Sequence, residues 1–328
     1  MITRITLIGL LTLSLSCLAA DDKKRKDVYT DPKDAGADFL IQGEYEGEMT
    51  LNRGKVKIGG QVIAEGDGKF HVRILTGGLP GDGWDGRGVR EAEAQTENGT
   101  VIIAGKQFRG SIPDFGKLMV KDGMKLDSTL TRVERKSKTL GEKPPPGAVV
   151  LFDGTTADQW EGGKIVGDHQ LNNGIVSKKK FKDFKLHVEF ILPFMPKARE
   201  QGRANSGVYL QDRYEVQVLD SFGLKGEDNE CGGIYKQAAP LVNMCYPPLQ
   251  WQTYDVDFKA ARFDKDGKKT EDAVVTIFHN GVKIHDNLKL KRATLGRNDK
   301  EDATPGPIHL QNHGDPVFFR NIWVVETK

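Results

Sequence analysis

The sequence predicts an all-β protein of two units, a smaller antiparallel β-rich domain followed by a larger β-sandwich. Three observations carry this. Few windows place apolar residues at i, i+3, i+4 and i+7, so helical periodicity is scarce. Short alternating runs bounded by Gly, Asn and Asp recur along the chain, and 38 glycines supply the turns. The stretch Arg132-Val-Glu-Arg-Lys-Ser-Lys-Thr-Leu-Gly-Glu-Lys-Pro-Pro-Pro-Gly147 is polar and basic and ends in three prolines. Such a segment neither builds a core nor pairs inside a sheet, so it reads as a linker dividing the chain.

The 328 residues begin with a segment that is not part of either unit. Arg4, the apolar run Leu7 to Leu15 and Leu18-Ala19-Ala20 before Asp21 form a secretory signal pattern, too short to be a membrane span. Cleavage after Ala20 is the expected processing. A lipid anchor at Cys17 is the alternative, although Ser14 stands where a lipoprotein signal wants a large aliphatic residue. Elsewhere no run approaches the ~20 apolar residues of a transmembrane helix. The expected organisation is a signal at 1–20, a β-rich domain of unknown role at 21–131, a linker at 132–146 and a sandwich at 147–328. The expected location is periplasmic or extracellular. A formal charge of +2 leaves no basic field for nucleic acid.

In the first domain, Tyr29 to Leu40 is expected to be partly helical. Strands are expected over Gly43 to Leu51, Lys55 to Ala64, Phe70 to Leu75, Glu91 to Thr96, Thr100 to Ala104 and Gly116 to Val120. The glycine-rich stretch Gly77 to Gly88 is a long loop carrying Trp84, whose ring either pins the loop to the core or stacks on a sugar. No helix pattern follows these glycines, so they are no phosphate fingerprint.

In the second domain, strands are expected over Val149 to Phe152, Lys185 to Leu192, Gly207 to Gln211, Tyr214 to Leu219, Thr253 to Lys259, Ala273 to His279, Ile308 to Gln311 and Asn321 to Val325. Asn280-Gly281 is a two-residue hairpin signal. Many strands without crossover helices argue for a two-sheet jelly roll.

Period two then sorts the side chains into faces. Val208, Leu210, Val216, Val218, Ile308 and Leu310 point inward. Tyr209, Gln211, Glu215, Gln217, His309, Gln311 and His313 share the opposite side, a hydrogen-bonding face unlike the Lys, Glu, Thr and Ser of an ordinary solvated sheet. Glu215-x-Gln-x-x-Asp220 also resembles the paired-carboxylate strand of laminarinase-type retaining glycosidases, provided a bulge turns Asp220 onto the Glu215 face. Retention needs two carboxyls about 5–5.5 Å apart. The histidines suggest no metal site: His279 and His285 flank the hairpin, and His309 and His313 would lie roughly 13 Å apart on a strand. Cys231 and Cys245 suggest one disulfide in an exported protein, with two buried free thiols as the alternative.

Taken together, Leu151-Phe-Asp-Gly-Thr155 with Trp160, Asn205-Ser-Gly-Val-Tyr-Leu-Gln211, Tyr214-Glu-Val-Gln-Val-Leu-Asp220, Trp251 to Asp255, and Gly306-Pro-Ile-His-Leu-Gln-Asn-His-Gly314 with Phe319-Arg-Asn-Ile322 resemble the 3-keto-disaccharide hydrolase family. That family is also described as the 3-keto-glucoside lyase and 3-keto-2-hydroxyglucal hydratase domain. The resemblance covers about Val149 to Val325 and leaves the first domain uncovered. It implies a concanavalin A-like jelly roll acting on a 3-keto-glycoside, with no cofactor. The 3-ketone acidifies the C2 proton, so a base can drive elimination at C1, and water adds back. His313 is the first candidate base, Glu215 the second, and Arg320 a candidate electrophile for the ketone oxygen. Tyr209, Gln211, Gln217, Asp220, His309 and Gln311 are candidates for holding hydroxyls. A carbohydrate-binding module without turnover and a conventional retaining glycosidase remain the alternative readings.

Overall fold

The computed structural model describes residues 27–51, 54–122, 126–294 and 300–327. The signal segment and Cys17 lie outside the described residues. A six-residue helix, α1 (Gly36–Ile41), is the only part of the expected Tyr29–Leu40 helix that forms. Eight strands follow: β1 (Gly43–Leu51), β2 (Gly54–Gly66), β3 (Lys69–Thr76), β4 (Val89–Glu97), β5 (Thr100–Ala104), β6 (Arg109–Asp114), β7 (Lys117–Asp122) and β8 (Leu126–Val133). Each pairs with its sequence neighbour, and β8 returns to β1, closing a barrel. The two strands without an expected counterpart, β6 and β8, are those needed for closure, which removes the exposed sheet edges. Tyr45, Val62, Phe70, Val72, Ile74 and Leu118 are fully buried inside it. The last strand reaches Val133, so Arg132 and Val133 belong to the barrel rather than to a linker.

The second unit contains β9 (Val149–Phe152), β10 (Trp160–Glu161), β11 (Ile165–Val166), β12 (Gln170–Leu171), β13 (Ile175–Phe181), β14 (Phe184–Ile191), β15 (Ser206–Leu210), β16 (Tyr214–Val218), β17 (Trp251–Lys259), β18 (Arg262–Phe263), β19 (Lys269–Glu271), β20 (Ala273–His279), β21 (Val282–Leu290), β22 (Gly306–Leu310) and β23 (Phe318–Glu326). One sheet has the order β10-β13-β22-β15-β16. The other runs β11-β12-β23-β14-β17-β20-β21, with β9 added beside β23. Apolar residues from both, including Val208, Val216 and Leu310 on one side and Val188, Phe190 and Tyr254 on the other, form a single buried cluster. The unit is therefore a sandwich of two antiparallel sheets. The Asn280-Gly281 turn has φ of 52° and 79°, as a two-residue hairpin requires.

The two units are joined by more than chain. Phe194 of the sandwich is buried in the barrel's apolar cluster, and its backbone bridges Tyr29. Residues 134–146 are held across the outer face of the larger sheet. Arg135 pairs with the buried Glu44 at 2.5 Å and covers the Tyr246 ring at 5.1 Å. Ser137 bonds Thr253 at 2.6 Å, Thr139 bonds Asp255 at 2.6 Å, and Gly141 N–H donates to Glu189 at 2.5 Å.

Candidate active site

The pairing register lines up one row of outward residues across the smaller sheet. Glu161 pairs with Val176, Val176 with His309, His309 with Tyr209, and Tyr209 with Glu215. Opposed residues in an antiparallel pair share a face, so this row is a continuous surface. In the next row Gln217 faces Gly207, whose carbonyl accepts from Gln311 N–H at 2.9 Å.

Gly207 is the missing side chain that shapes the site. Its backbone needs no left-handed conformation. A Cβ added there would sit 2.4 Å from Glu215 Oε1 and 3.0 Å from its Cγ. The Glu215 carboxylate therefore lies folded into the hollow that this glycine leaves. A glycine inside a strand commonly marks such a close approach. The Tyr209 hydroxyl donates to Glu215 Oε2 at 3.0 Å, and Gln311 Nε2 reaches that hydroxyl at 3.4 Å. Glu215 is 3% exposed. Burial raises its pKa, and the Tyr209 hydrogen bond only partly offsets this, leaving it at about 7.

Amide groups surround this carboxyl. Gln217 donates to Gln201 Oε1 at 3.0 Å and to Asn229 O at 3.3 Å. Asn205 donates to Gln201 O at 2.7 Å. Gln311 Oε1 and Asn205 Oδ1 are buried acceptors without a hydrogen-bond donor. Buried polar atoms are nearly always paired, so the open Gln311 acceptor beside the Tyr209–Glu215 pair suits a ligand rich in hydroxyls. The His309 ring packs on Tyr209 with centroids 5.0 Å apart, and its Nδ1 lies 3.1 Å from Asp212 Oδ1. Gln211 and Asp212 hold positive φ, 57° and 58°, in the turn that aims this acid; strain of this kind clusters at functional sites.

The structure brings Tyr209, Glu215, Gln217, His309 and Gln311 together. It places Gln211, Asp220 and Arg320 in other contacts and leaves His313 on an exposed loop. Gln211 anchors the turn: its Nε2 donates to Phe181 O at 2.8 Å, and Arg213 donates to its Oε1 at 3.1 Å. The Asp220 carboxylate is committed to Arg203 at 2.7 Å, so it does not form a pair with Glu215. His313 lies beyond β22 in an exposed loop, because the alternation stops at Leu310. Arg320 is on the larger sheet, bonded to Glu189 at 2.7 Å and stacked 3.9 Å from the Trp251 ring centroid. Cys231 and Cys245 are buried free thiols instead of the expected disulfide. They neighbour one another, but Cys231 Sγ is satisfied by Tyr254 OH at 3.1 Å and Cys245 Sγ by Leu219 O at 3.5 Å. Residues that sequence reasoning missed are Gly207, Asp212, Gln201 and Asn205. Of these, only the strand-interior Gly207 carried a readable signal.

Among the described residues, Glu142, His187 and Asp255 place metal-ligand atoms within 4.8 Å of one another. The His187 ring contacts two carboxylates, Asp255 at 2.6 Å and Glu189 at 3.5 Å. Burial would lower its pKa, but hydrogen bonds to Asp255 and Glu189 outweigh that and hold it at about 9. His279 and His285 are also internal: they bond Gln252 Oε1 at 3.0 Å and Gly232 O at 2.7 Å. No helix among the described residues is long and apolar enough to cross a membrane.

A crystal structure from Parabacteroides distasonis, provisionally described as a glycosyl hydrolase, is similar to this chain at 35% identity with a TM-score of 0.52, covering 56% of this chain and 85% of that one. A second from the same organism, described in the same terms, shares 19% identity at a TM-score of 0.41, over 56% and 94% of the two chains. None of the curated proteins matches the chain. The model of the 3-keto-alpha-glucoside-1,2-lyase-like domain matches residues 147–325, more than half of the sequence, and the chain belongs to that family.

Proposed function

We propose that this protein is an exported enzyme that cleaves a 3-keto-glycoside by elimination and hydration at the Glu215 face. The observation that carries this reading is a buried carboxyl, held at about 7, that accepts from Tyr209 next to the open Gln311 acceptor. A base with a pKa near the working pH combines adequate ionisation with adequate basicity. Family membership supports a sugar substrate, and the hydroxyl-binding amides agree with it. We also assign the sandwich to the concanavalin A-like jelly-roll class, on its two antiparallel sheets and non-sequential strand order. Export rests on the signal pattern of residues 1–20.

In this scheme Glu215 takes the proton from C2 of the bound 3-keto sugar. The C–H electrons form the enolate with the C3 carbonyl, and the C1–O bond then breaks to give the unsaturated ketone, the departing oxygen taking up the proton that Glu215 had gained. Water adds at C1, a proton returns to C2, and the sum is hydrolysis. Tyr209 stays a neutral phenol, because burial and the adjacent Glu215 charge raise its pKa well above the usual tyrosine value. It steadies the carboxylate before proton transfer. The electrophile for the ketone oxygen must come from the same face, where His309 and the Gln311 and Gln217 amides stand, rather than from Arg320. The Asp220 carboxyl expected to partner Glu215 in a retaining glycosidase is instead engaged by Arg203.

The test is incubation of the purified protein with 3-keto-sucrose or 3-keto-trehalose, with released sugar as readout. Binding without release would reduce the protein to a carbohydrate-binding module. Equal cleavage of unoxidised glucosides would favour a conventional glycosidase.

A further inference from the structure

We infer that Tyr235 completes the Glu215 face as a catalytic residue, its phenol donating a hydrogen bond to the C3 oxygen of the 3-keto sugar as the enolate forms. This role rests on Glu215 being the base. β16 is the last strand of the smaller sheet, but its outer edge is not bare. Ile234 forms an antiparallel bridge with Val216, Gln217 N–H donates to Gly233 O at 2.9 Å, and Tyr235 N–H donates to Glu215 O at 3.2 Å. Residues 233–235 therefore lie beside β16 as a short added strand.

Alternation decides where the Tyr235 side chain goes. Ile234 is fully buried in the sandwich core together with Val216. The next residue in a period of two turns to the other side, which is the Glu215 side. The row His309, Tyr209, Glu215 thus gains Tyr235 as its next member. Side chains directly opposed across such a pair have Cβ atoms about 4.5–5.5 Å apart. Tyr235 is also close enough to Tyr209 for the two phenols to interact electrostatically.

Other donors on this face are already engaged. Tyr209 gives its O–H to Glu215 at 3.0 Å, and Gln217 directs its amide N–H groups to Gln201 and Asn229. Gln311 Nε2 reaches the Tyr209 hydroxyl at 3.4 Å. The half-buried Tyr235 side chain makes no hydrogen bond among the described residues. Lys236 Nζ lies 5.7 Å from its ring centroid, so the site gains a hydroxyl donor rather than a bare ring face.

The turn after Tyr235 holds it in place. Lys236 takes a left-handed φ of 56°, and the Ile234 and Ala238 backbones exchange hydrogen bonds at 2.9 and 3.0 Å. Gln237 Nε2 donates to Arg292 O at 2.9 Å, and Arg292 donates to Lys236 O at 3.1 Å. A donor fixed before reaction costs no reorganisation as charge develops. When Glu215 takes the C2 proton, the C–H pair moves into the C2–C3 bond and the carbonyl pair onto the C3 oxygen. C2 and C3 are adjacent, so a base and a donor on neighbouring strands address both. Tyr235 keeps its proton and shares it with that oxygen. The carbonyl reforms when the C1–O bond breaks, and the phenol ends as it began. Neutral phenols stabilise enolates in this way where a proton is abstracted beside a ketone.

The experiment compares the wild type, Tyr235→Phe and Tyr235→Ala on 3-keto-trehalose, with sugar release followed across pH and each protein checked by thermal melting. Tyr235→Phe removes only the hydroxyl. Its kcat should fall about 10²-fold, the usual worth of one such donor, with KM within threefold of the wild type, the acid limb of the pH–rate profile unmoved and the melt unchanged. A raised KM at full kcat would make the hydroxyl a plain binding group and overturn the proposal. Loss in Tyr235→Ala but not in Tyr235→Phe would reduce the ring to packing, and a shifted acid limb at full plateau rate would mean that Tyr235 acts only through Glu215; either result overturns it. An active wild type beside an unaffected Tyr235→Phe removes this role alone, whereas a wild type that releases no sugar removes the Glu215 reading and this role with it.

Discussion

The Tyr209 hydroxyl donates to Glu215 Oε2 at 3.0 Å, directly across the antiparallel pair β15–β16. This bond favours the ionised carboxylate, against the burial that disfavours it. Tyr209→Phe should therefore raise the Glu215 pKa further above 7. The acid limb of the pH–rate profile on a 3-keto-glycoside should move to higher pH, by up to about one unit. An unmoved limb would mean that Glu215 is not the group titrating.

Glu215→Gln should cut turnover roughly 10²–10⁴-fold, the usual worth of a positioned base. His313→Ala is the counterpart. His313 is exposed and off the strand, so its loss should leave the rate within a few fold. If His313→Ala abolishes turnover while Glu215→Gln spares it, the base is His313.

The same carboxyl should leave a mark on stability. Its folded pKa, about 7, lies above the ordinary glutamate value of 4.5. The unfolded state then binds fewer protons between these values, so this group lowers stability as pH rises from about 4.5 to 7. Glu215→Gln removes that penalty. The variant should match the wild type near pH 4 and exceed it at pH 8 by on the order of 2–3 kcal/mol. Denaturant titrations at the two pH values measure the difference, and a variant less stable at pH 8 would contradict the burial argument.

Gly207→Ala tests the shape of the hollow. Its Cβ would meet Glu215 Oε1 at 2.4 Å and backbone relief is not available, so the carboxyl must rotate away. Turnover should fall more than tenfold. Because the strand pairing is untouched, the melting temperature should drop by only a few degrees. A variant with normal turnover would place the reacting atoms elsewhere.

Much of this face was legible from alternation alone. Tyr209, Glu215, Gln217, His309 and Gln311 share a side because the strand period is two, and the register confirms their adjacency. Alternation failed where strands end. His313 lies past Leu310, and Asp220 lies past Val218, where its carboxylate turns to Arg203. It also cannot say which sheet a strand joins, so Arg320 was grouped with residues of the opposite sheet. Asp212, Gln201 and Asn205 come from turns, whose tertiary placement no periodicity encodes. In the barrel, β6 carries Pro113 and an exposed charged edge, which masked it as a strand.

The polar cluster beneath residues 134–146 sets a pH window for the join between the two units. His187 is wholly buried, bonded to Asp255 at 2.6 Å and stacked on Trp323 at 5.1 Å. Glu189 accepts from Gly141 N–H, Asn321 and Arg320. Burial would raise the Glu189 pKa, but these bonds and that from His187 outweigh it and hold it at about 2. His187 is raised, so its contribution is complete below about 6.5 and is lost as pH rises through 9. Glu189 is depressed, so its contribution is complete above about 4.5 and is lost as pH falls through 2. A free linker would be cut by trypsin after Lys136 and Lys138 at pH 7 as readily as at pH 9.5. The anchored segment should resist at pH 7 and become susceptible by pH 9.5. His187→Ala takes the buried ring from between Asp255 and Glu189 and so removes two of the cluster's contacts. That variant should be cleaved at pH 7 as readily as the wild type at pH 9.5. Rapid cleavage of the wild type at pH 7 would show that the cluster does not hold the segment in solution.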